Sequence, residues 1–349
     1  FTAVFGFSTA QVGVIVSASY LGNLTCLLFG GMILDKIGRK KAMAAFIAAL
    51  ALSEVLLVFG SAFPILIIGF FLSLGISTLL NTTINLLSDT FPPSRSLMYL
   101  SILFFLQGIG TSGSQLILTR YASSVAVWHG VLISLAVLLI PLFLAVLRMD
   151  MGTDMRISDE GAGRKEKSGI RYMPLILITI SLGLYTITEH GITNYIMLYG
   201  TEYLKLSAEN VGLGLALYSA GIMSGRLILS PVIDKVGAGR MVLLSIIAGF
   251  VFSSIVFSSD ILPLLFFVGF GISIVYPTTV SLFRRYVPLS LGARVTTIAI
   301  SIASILDVIF NAAFGKAIDI FGYGFSMPFL CAVLALAAIV GFPALIRKS

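Results

Sequence analysis

Charge is what this chain of 349 residues has least of. Asp, Glu, Lys and Arg together make up 11%, where a soluble globular domain carries roughly 25%. With 58% hydrophobic residues, the apolar surface exceeds what a water-soluble core can enclose, which excludes the soluble classes. The two cysteines, Cys26 and Cys331, both lie inside apolar runs, so neither a disulfide framework nor a metal cluster can be read from them, and both are expected to pack as small residues. No metal-ligand spacing, nucleophile elbow or phosphate loop occurs. "GAGR" at 161–164 and again at 237–240 holds too few positions to cradle a phosphate. No enzyme activity, cofactor or metal is therefore expected. The alternating segments of about ten residues that build a membrane β-barrel are missing too.

Long apolar runs are what is there. "AMAAFIAALALSEVLLVFGSA" and "AVWHGVLISLAVLLIPLFLAVL" are each about twenty residues long, and at 1.5 Å rise per residue each covers about 30 Å, one hydrocarbon core. Eleven such spans are expected, at 11–35, 42–62, 64–88, 97–119, 126–147, 173–198, 210–234, 240–260, 261–283, 293–314 and 324–346. The chain is an all-α polytopic membrane protein on this reading. It opens at Phe1, and "FTAVFGFSTAQVGV" reads as the end of one helix and the loop into the next, so a first span is expected to be missing.

The cations sort by side. Eighteen of the 22 Lys and Arg fall in alternate connections, against Arg120, Lys205 and Lys316 in the opposite loops and Arg226 inside a span. The positive-inside rule places the cation-rich loops and the C-terminus in the cytoplasm of a plasma-membrane protein. The net charge of +7 is thus a topology signal and not a nucleic-acid patch.

The longest polar segment, "RMDMGTDMRISDEGAGRKEKSGIRYM", divides the chain into an N-terminal helical bundle (1–147), a cytoplasmic linker (148–172) and a C-terminal bundle (173–349). Across it the sequence repeats: Asp35, Lys36 and Gly38 return as Asp234, Lys235 and Gly237, a constant offset of 199. Parallel halves with a solute site between them are a recurrent plan of secondary transporters.

The segment "GGMILDKIGRKK" resembles the signature of the major facilitator superfamily, Gly-x-x-x-Asp-Arg/Lys-x-Gly-Arg/Lys-Arg/Lys. Gly31, Asp35, Lys36, Gly38, Arg39 and Lys40 match it position for position. The second copy, "SPVIDKVGAGRM", keeps Asp234, Lys235 and Gly237 but has Ser230 for the first glycine and lacks the basic pair. The resemblance implies a fold of two pseudo-symmetric six-helix bundles, in which the eleven spans are the second to the twelfth helix. It also implies a cytoplasmic latch at Asp35, with Arg95 as a partner. "GLYTITEHGITNYIMLYG" at 183–200, and "GISTLLNTTINLLSDTFPPSR" followed by "FFLQGIG", are similar to helices of the fucose permease-like branch. That likeness alone puts sugars first among the expected solutes.

Ionisable groups at membrane depth are costly, about 2.5–3.5 kcal/mol each on insertion scales, and are functional candidates by default. Glu54, Glu189, His190, Arg226 and Asp307 lie inside spans. Tyr185, Glu189 and Thr193 stand four apart and share one helical face. A carboxyl on such a face can take a proton from one side and release it on the other, so Glu189 and Asp307 are the expected coupling acids. The alternative for Glu189 is a hydrogen-bonded strut between helices. Asp307 and Asn311 are four apart, with Thr297, Ser301 and Ser304 on the same face. Asn81 with Asn85, and Gln107 with Thr111 and Ser114, repeat the pattern. Amides and hydroxyls at cavity walls suit a neutral polar solute, and Asn194 joins that set. The same groups also glue helices together in lipid.

His190 points about 100° from Glu189, which leaves both packing and proton relay open. Glu54 reads as structural. Arg226 joins Arg95, Asp234, Lys235 and Gly237 at the expected gate. Gly108, Gly110 and Gly113, with Gly212, Gly214, Gly221 and Gly225, permit close helix approach, and Pro141 and Pro277 sit where kinks are expected. The leading expectation is a monomeric secondary transporter working by alternating access, through proton symport of a small polar solute such as a sugar. The alternatives are proton-driven efflux of amphipathic compounds and a non-transporting membrane sensor or scaffold.

Overall fold

The computed structural model describes residues 6–7, 9–60, 62–87, 102–103, 105–110, 113, 125–149, 170–287 and 292–346. Helices carry nearly all of them, and no strand occurs among them. In order they are α1 (Thr9–Ile37), α2 (Arg39–Phe59), α3 (Phe63–Leu87), α4 (Val125–Arg148), α5 (Tyr172–Leu198), α6 (Ala208–Val236), α7 (Ala238–Ser259), α8 (Leu265–Ile272), α9 (Val275–Phe283), α10 (Gly292–Phe321) and α11 (Tyr323–Leu345). Among the described residues nine helical stretches are long and apolar enough to cross a membrane. The bounds follow the hydropathy closely, except that α10 runs seven residues past its expected end at 314. Most of the expected linker and most of the expected span 97–119 lie outside the described residues.

Membrane burial explains an otherwise impossible surface. On α4 only Leu132 and Val146 are buried, while Leu138 is 66% exposed and Ile140 55%. Phe59 on α2 is 82% exposed. A soluble monomer does not display continuous apolar faces of this kind, whereas a helix whose backbone bonds are satisfied internally can present them to lipid.

Two compact units form, one from Phe1–Thr90 with Ile117–Lys165 and the other from Phe91–Leu116 with Glu166–Ser349. The described residues between 102 and 113 belong to the second unit, where a Cβ on Gly108 would stand 2.5 Å from Cγ of Met223.

In the first unit α1 crosses α3 at backbone contact. A Cβ on Gly22 would overlap the Phe71 carbonyl, and Cys26 fills the space beside Gly75, as its size suggested. Thr78 donates to Asn23 at 2.8 Å and Ser73 to Glu54 Oε1 at 2.8 Å. The Glu54 hydrogen bond joins α2 to α3.

In the second unit α5 packs between α10 and α11, so it is buried almost all round. Ser181 donates to the Ala337 carbonyl at 2.8 Å and Thr188 to that of Leu330 at 3.2 Å, which are cross-helix bonds of the gluing kind. Beyond α5 the chain widens into a π turn, Tyr199–Tyr203, tied down by Tyr199 donating to Asp260 at 2.5 Å. Helices α6 and α8 interlock: a Cβ on Gly221 would overlap the Phe266 carbonyl, and one on Gly269 the Tyr218 carbonyl.

The repeated motif has a mechanical reason. Gly38 is the single residue between α1 and α2, and Gly237 the single residue between α6 and α7, with φ +83°, ψ 150° and φ +94°, ψ 136°. A one-residue reversal between helices of this kind needs a backbone conformation that is nearly closed to residues with a Cβ. Gly237→Ala is accordingly expected to cost about 1–3 kcal/mol, read as a lowered unfolding midpoint in detergent. An unchanged midpoint would show that the joint relaxes without strain.

Candidate functional site

The site begins with a missing hydrogen. Pro277 in α9 has no N–H to give the carbonyl four residues back, that of Ser273, so the helix breaks there. The break falls at Ser273–Ile274, between α8 and α9. The freed Ser273 carbonyl accepts instead from Arg226 Nε of α6, at 3.2 Å. This is possible because α6 comes so close: a Cβ on Gly225, next to the arginine, would meet Ser273 Oγ and the Phe270 carbonyl. A guanidinium thus replaces a proline's absent donor, and the exchange anchors a permanent charge between membrane-length helices. Pro141, the other expected kink, lies within the continuous helix α4.

Around that charge the second unit gathers three tyrosines. Tyr185 and Tyr218 are 1% and 2% exposed, and Tyr276 comes just after the break. Glu189 and Arg226 act electrostatically on all three, and the Glu189 carboxyl is within reach of the Tyr185 hydroxyl. The Tyr218 hydroxyl is buried without a completed hydrogen bond, with Thr193 and Glu189 the polar groups closest in effect. Thr193 itself donates back to the Glu189 carbonyl at 2.7 Å. The assembly is a carboxyl, a guanidinium and three phenols converging from α5, α6 and α9. Arg226, expected at the gate, keeps its described contacts with this cluster.

A second polar centre joins α5 to α10. Nδ1 of His190 and Oδ2 of Asp307 are 2.5 Å apart; the aspartate side chain is 5% exposed and the imidazole 45%. Helical periodicity turned His190 away from Glu189, and that is the side on which α10 packs. Ser301, on the expected Asp307 stripe, spends its hydroxyl on the Thr297 carbonyl of its own helix at 2.9 Å, as do Thr83 and Thr179 on theirs. For these the gluing or self-satisfying role suffices.

The remaining expected site residues are placed unevenly. Asn81 is half-buried on α3, Asn194 exposed on α5 and Gln107 exposed in the second unit. Arg95 lies outside the described residues, and so do Thr111 and Ser114. The surroundings of Gly31 and the side chains of Asn85, Asn311, Asp35, Lys36, Arg39 and Asp234 are likewise outside the description. At the gate motif Lys40 is half-buried and Lys235 exposed. Among the described residues no group of three His, Cys, Asp or Glu could hold a metal ion.

Sequence reasoning missed Tyr218 and Tyr276 altogether. The available signal was weak: Tyr276 directly precedes Pro277, and Tyr218 lies two turns before Arg226 on α6.

The family described as Major Facilitator Superfamily matches residues 1–306. No curated protein matches the chain significantly in sequence. Among solved structures, a variant of the E. coli fucose:proton symporter FucP superposes with a TM-score of 0.75 at 16% identity, over 99% of this chain and 93% of that one. FucP in an outward conformation gives a TM-score of 0.75 at 15% identity, over 98% and 91%. The human organic anion transporter MFSD10 (TETRAN) gives 0.76 at 13% identity, over 94% and 83%. At such identities these likenesses speak for the fold.

Proposed function

The chain belongs to the major facilitator superfamily, and from that premise we propose that this transporter is a proton-coupled symporter of a small neutral polar solute, a sugar first. One observation carries the reading: Glu189 and Arg226, a carboxyl and a guanidinium from two membrane-length helices, act electrostatically on the same three tyrosines. Charges are kept at such depth when they serve a solute or ion path. Phenol hydroxyls that can donate and accept fit the hydroxyls of a sugar. The fucose:proton symporters among the structural neighbours support the same choice of solute and ion.

In this mechanism bundles 1–147 and 173–349, joined by the linker 148–172, alternate about a central site. Tyr185, Glu189, Asn194, Asn81, Asn85, Gln107, Asp307 and Asn311 contact the solute, while Glu189 and Asp307 exchange the proton. The motif residues Gly31, Asp35, Lys36, Gly38, Arg39 and Lys40, with Arg95, Asp234, Lys235 and Gly237, latch the cytoplasmic side. A carboxylate against a helix N-terminus contributes about 0.3–1 kcal/mol when exposed and up to about 2 when partly buried, weak enough to open on each cycle. The lopsided distribution of cations supports a plasma-membrane orientation with linker and C-terminus in the cytoplasm.

Proteoliposomes given radiolabelled fucose, galactose or glucose test it. An inward proton gradient is expected to raise accumulation of at least one sugar, and collapse of the gradient to abolish the excess. Extrusion of a cationic dye with no sugar accumulation would replace symport by efflux.

A further inference from the structure

Resting on the proton-coupled reading above, we propose that His190 is the relay through which the buried Asp307 carboxyl exchanges its proton. Asp307 is 3% exposed as a residue and 5% at its side chain, so its carboxyl is nearly closed off from solvent. Its neighbour Nδ1 belongs to an imidazole whose side chain is 45% exposed. One ring therefore bridges an enclosed acid and an open surface. Asn194 stands four residues on from His190 on α5 and is also exposed, so two polar side chains share that face of the helix.

The charged groups acting on the imidazole are Asp307 from α10 and Glu189 on its own helix. Helices α6, α9 and α11 also pack against α5; of these α6 carries Arg226, which acts with Glu189 on the adjoining tyrosines. In the transfer, Nε2 gains a proton from hydronium, which leaves as water, while the Nδ1–H bond breaks and its proton forms Oδ2–H. The ring is neutral before and after and has changed tautomer; the carboxylate has become the acid. A ring flip, or the reverse transfer, resets the tautomer. Glu189, whose charge acts on the same imidazole, joins this relay to the tyrosine-lined cluster.

The test needs no solute. In lipid nanodiscs, the infrared band of the protonated Asp307 carboxyl is identified as the one that Asp307→Asn removes, and its rise is followed after a rapid drop in pH. His190→Gln, which keeps a hydrogen-bond donor but cannot pass a proton on, is expected to slow that rise about a hundredfold, the lower end of the range for a positioned acid–base group. In His190→Ala, added imidazole is expected to restore the rate in proportion to its concentration, a response that a merely bracing histidine would not give. A rise at the wild-type rate in His190→Gln overturns the relay, as does the absence of any band that depends on Asp307. Neither outcome bears on whether sugars accumulate, and failure of sugar accumulation leaves this measurement readable.

Discussion

Arg226→Met is expected to destabilise the protein by about 2 kcal/mol, because it leaves the Ser273 carbonyl enclosed without a donor. A hydrogen bond to a charged group contributes about 1.5–3 kcal/mol, and an orphaned buried acceptor costs about 1–3. The informative experiment is a cycle. Pro277→Ala returns an N–H to the position from which it can reach the same carbonyl, so the double variant is expected to lose much less stability on removal of Arg226 than the wild type does. Thermal unfolding in detergent reads all four proteins. Strict additivity would mean that the arginine and the proline's missing hydrogen are unrelated. Arg226→Lys is not expected to substitute, since an ammonium on a flexible stem does not hold the in-plane Nε donor of a guanidinium.

Glu189→Gln carries the second large expectation. Gradient-driven accumulation of sugar should fall to the level reached without a gradient, while exchange of internal for external sugar continues. The size of the loss follows from the driving force: about 100 mV supplies about 2.3 kcal/mol per proton, equivalent to about fiftyfold accumulation. Parallel measurements of uptake under a pH gradient and of exchange in its absence separate the two activities. Full accumulation by the variant removes Glu189 from coupling; loss of exchange as well makes it a solute ligand first.

Much of this architecture could be read from residue order. Apart from the far end of α10, hydropathy located the described spans to within a few residues because lipid dictates length directly. The offset of 199 located two joints whose glycines, Gly38 and Gly237, share one unusual backbone conformation. Tyr185 and Glu189 were recognisable as a stripe, since i and i+4 must face the same way. Pairings between helices were not recognisable. Nothing local tells that His190 meets a residue 117 positions away, nor that Arg226 looks across to a carbonyl freed by Pro277. Such contacts depend on how each helix is rotated in its packing, and that is decided by small residues such as Gly221 and Gly225, whose sequence signal states only that something comes close.

The interlock of α6 with α8 also limits how the second unit can deform. Where a carbonyl sits in the notch left by an absent side chain, as Phe266 does at Gly221 and Tyr218 at Gly269, sliding one rod along the other would drive oxygen into backbone. Those two segments must travel as a welded pair. Bending is left to the seam at Ser273–Ile274, where the axial ladder is already cut and one guanidinium spans the gap. The short helix α9, with Tyr276 at its root, also packs against α5, α7 and α10, so any tilt at that seam carries those neighbours and the tyrosine cluster with it.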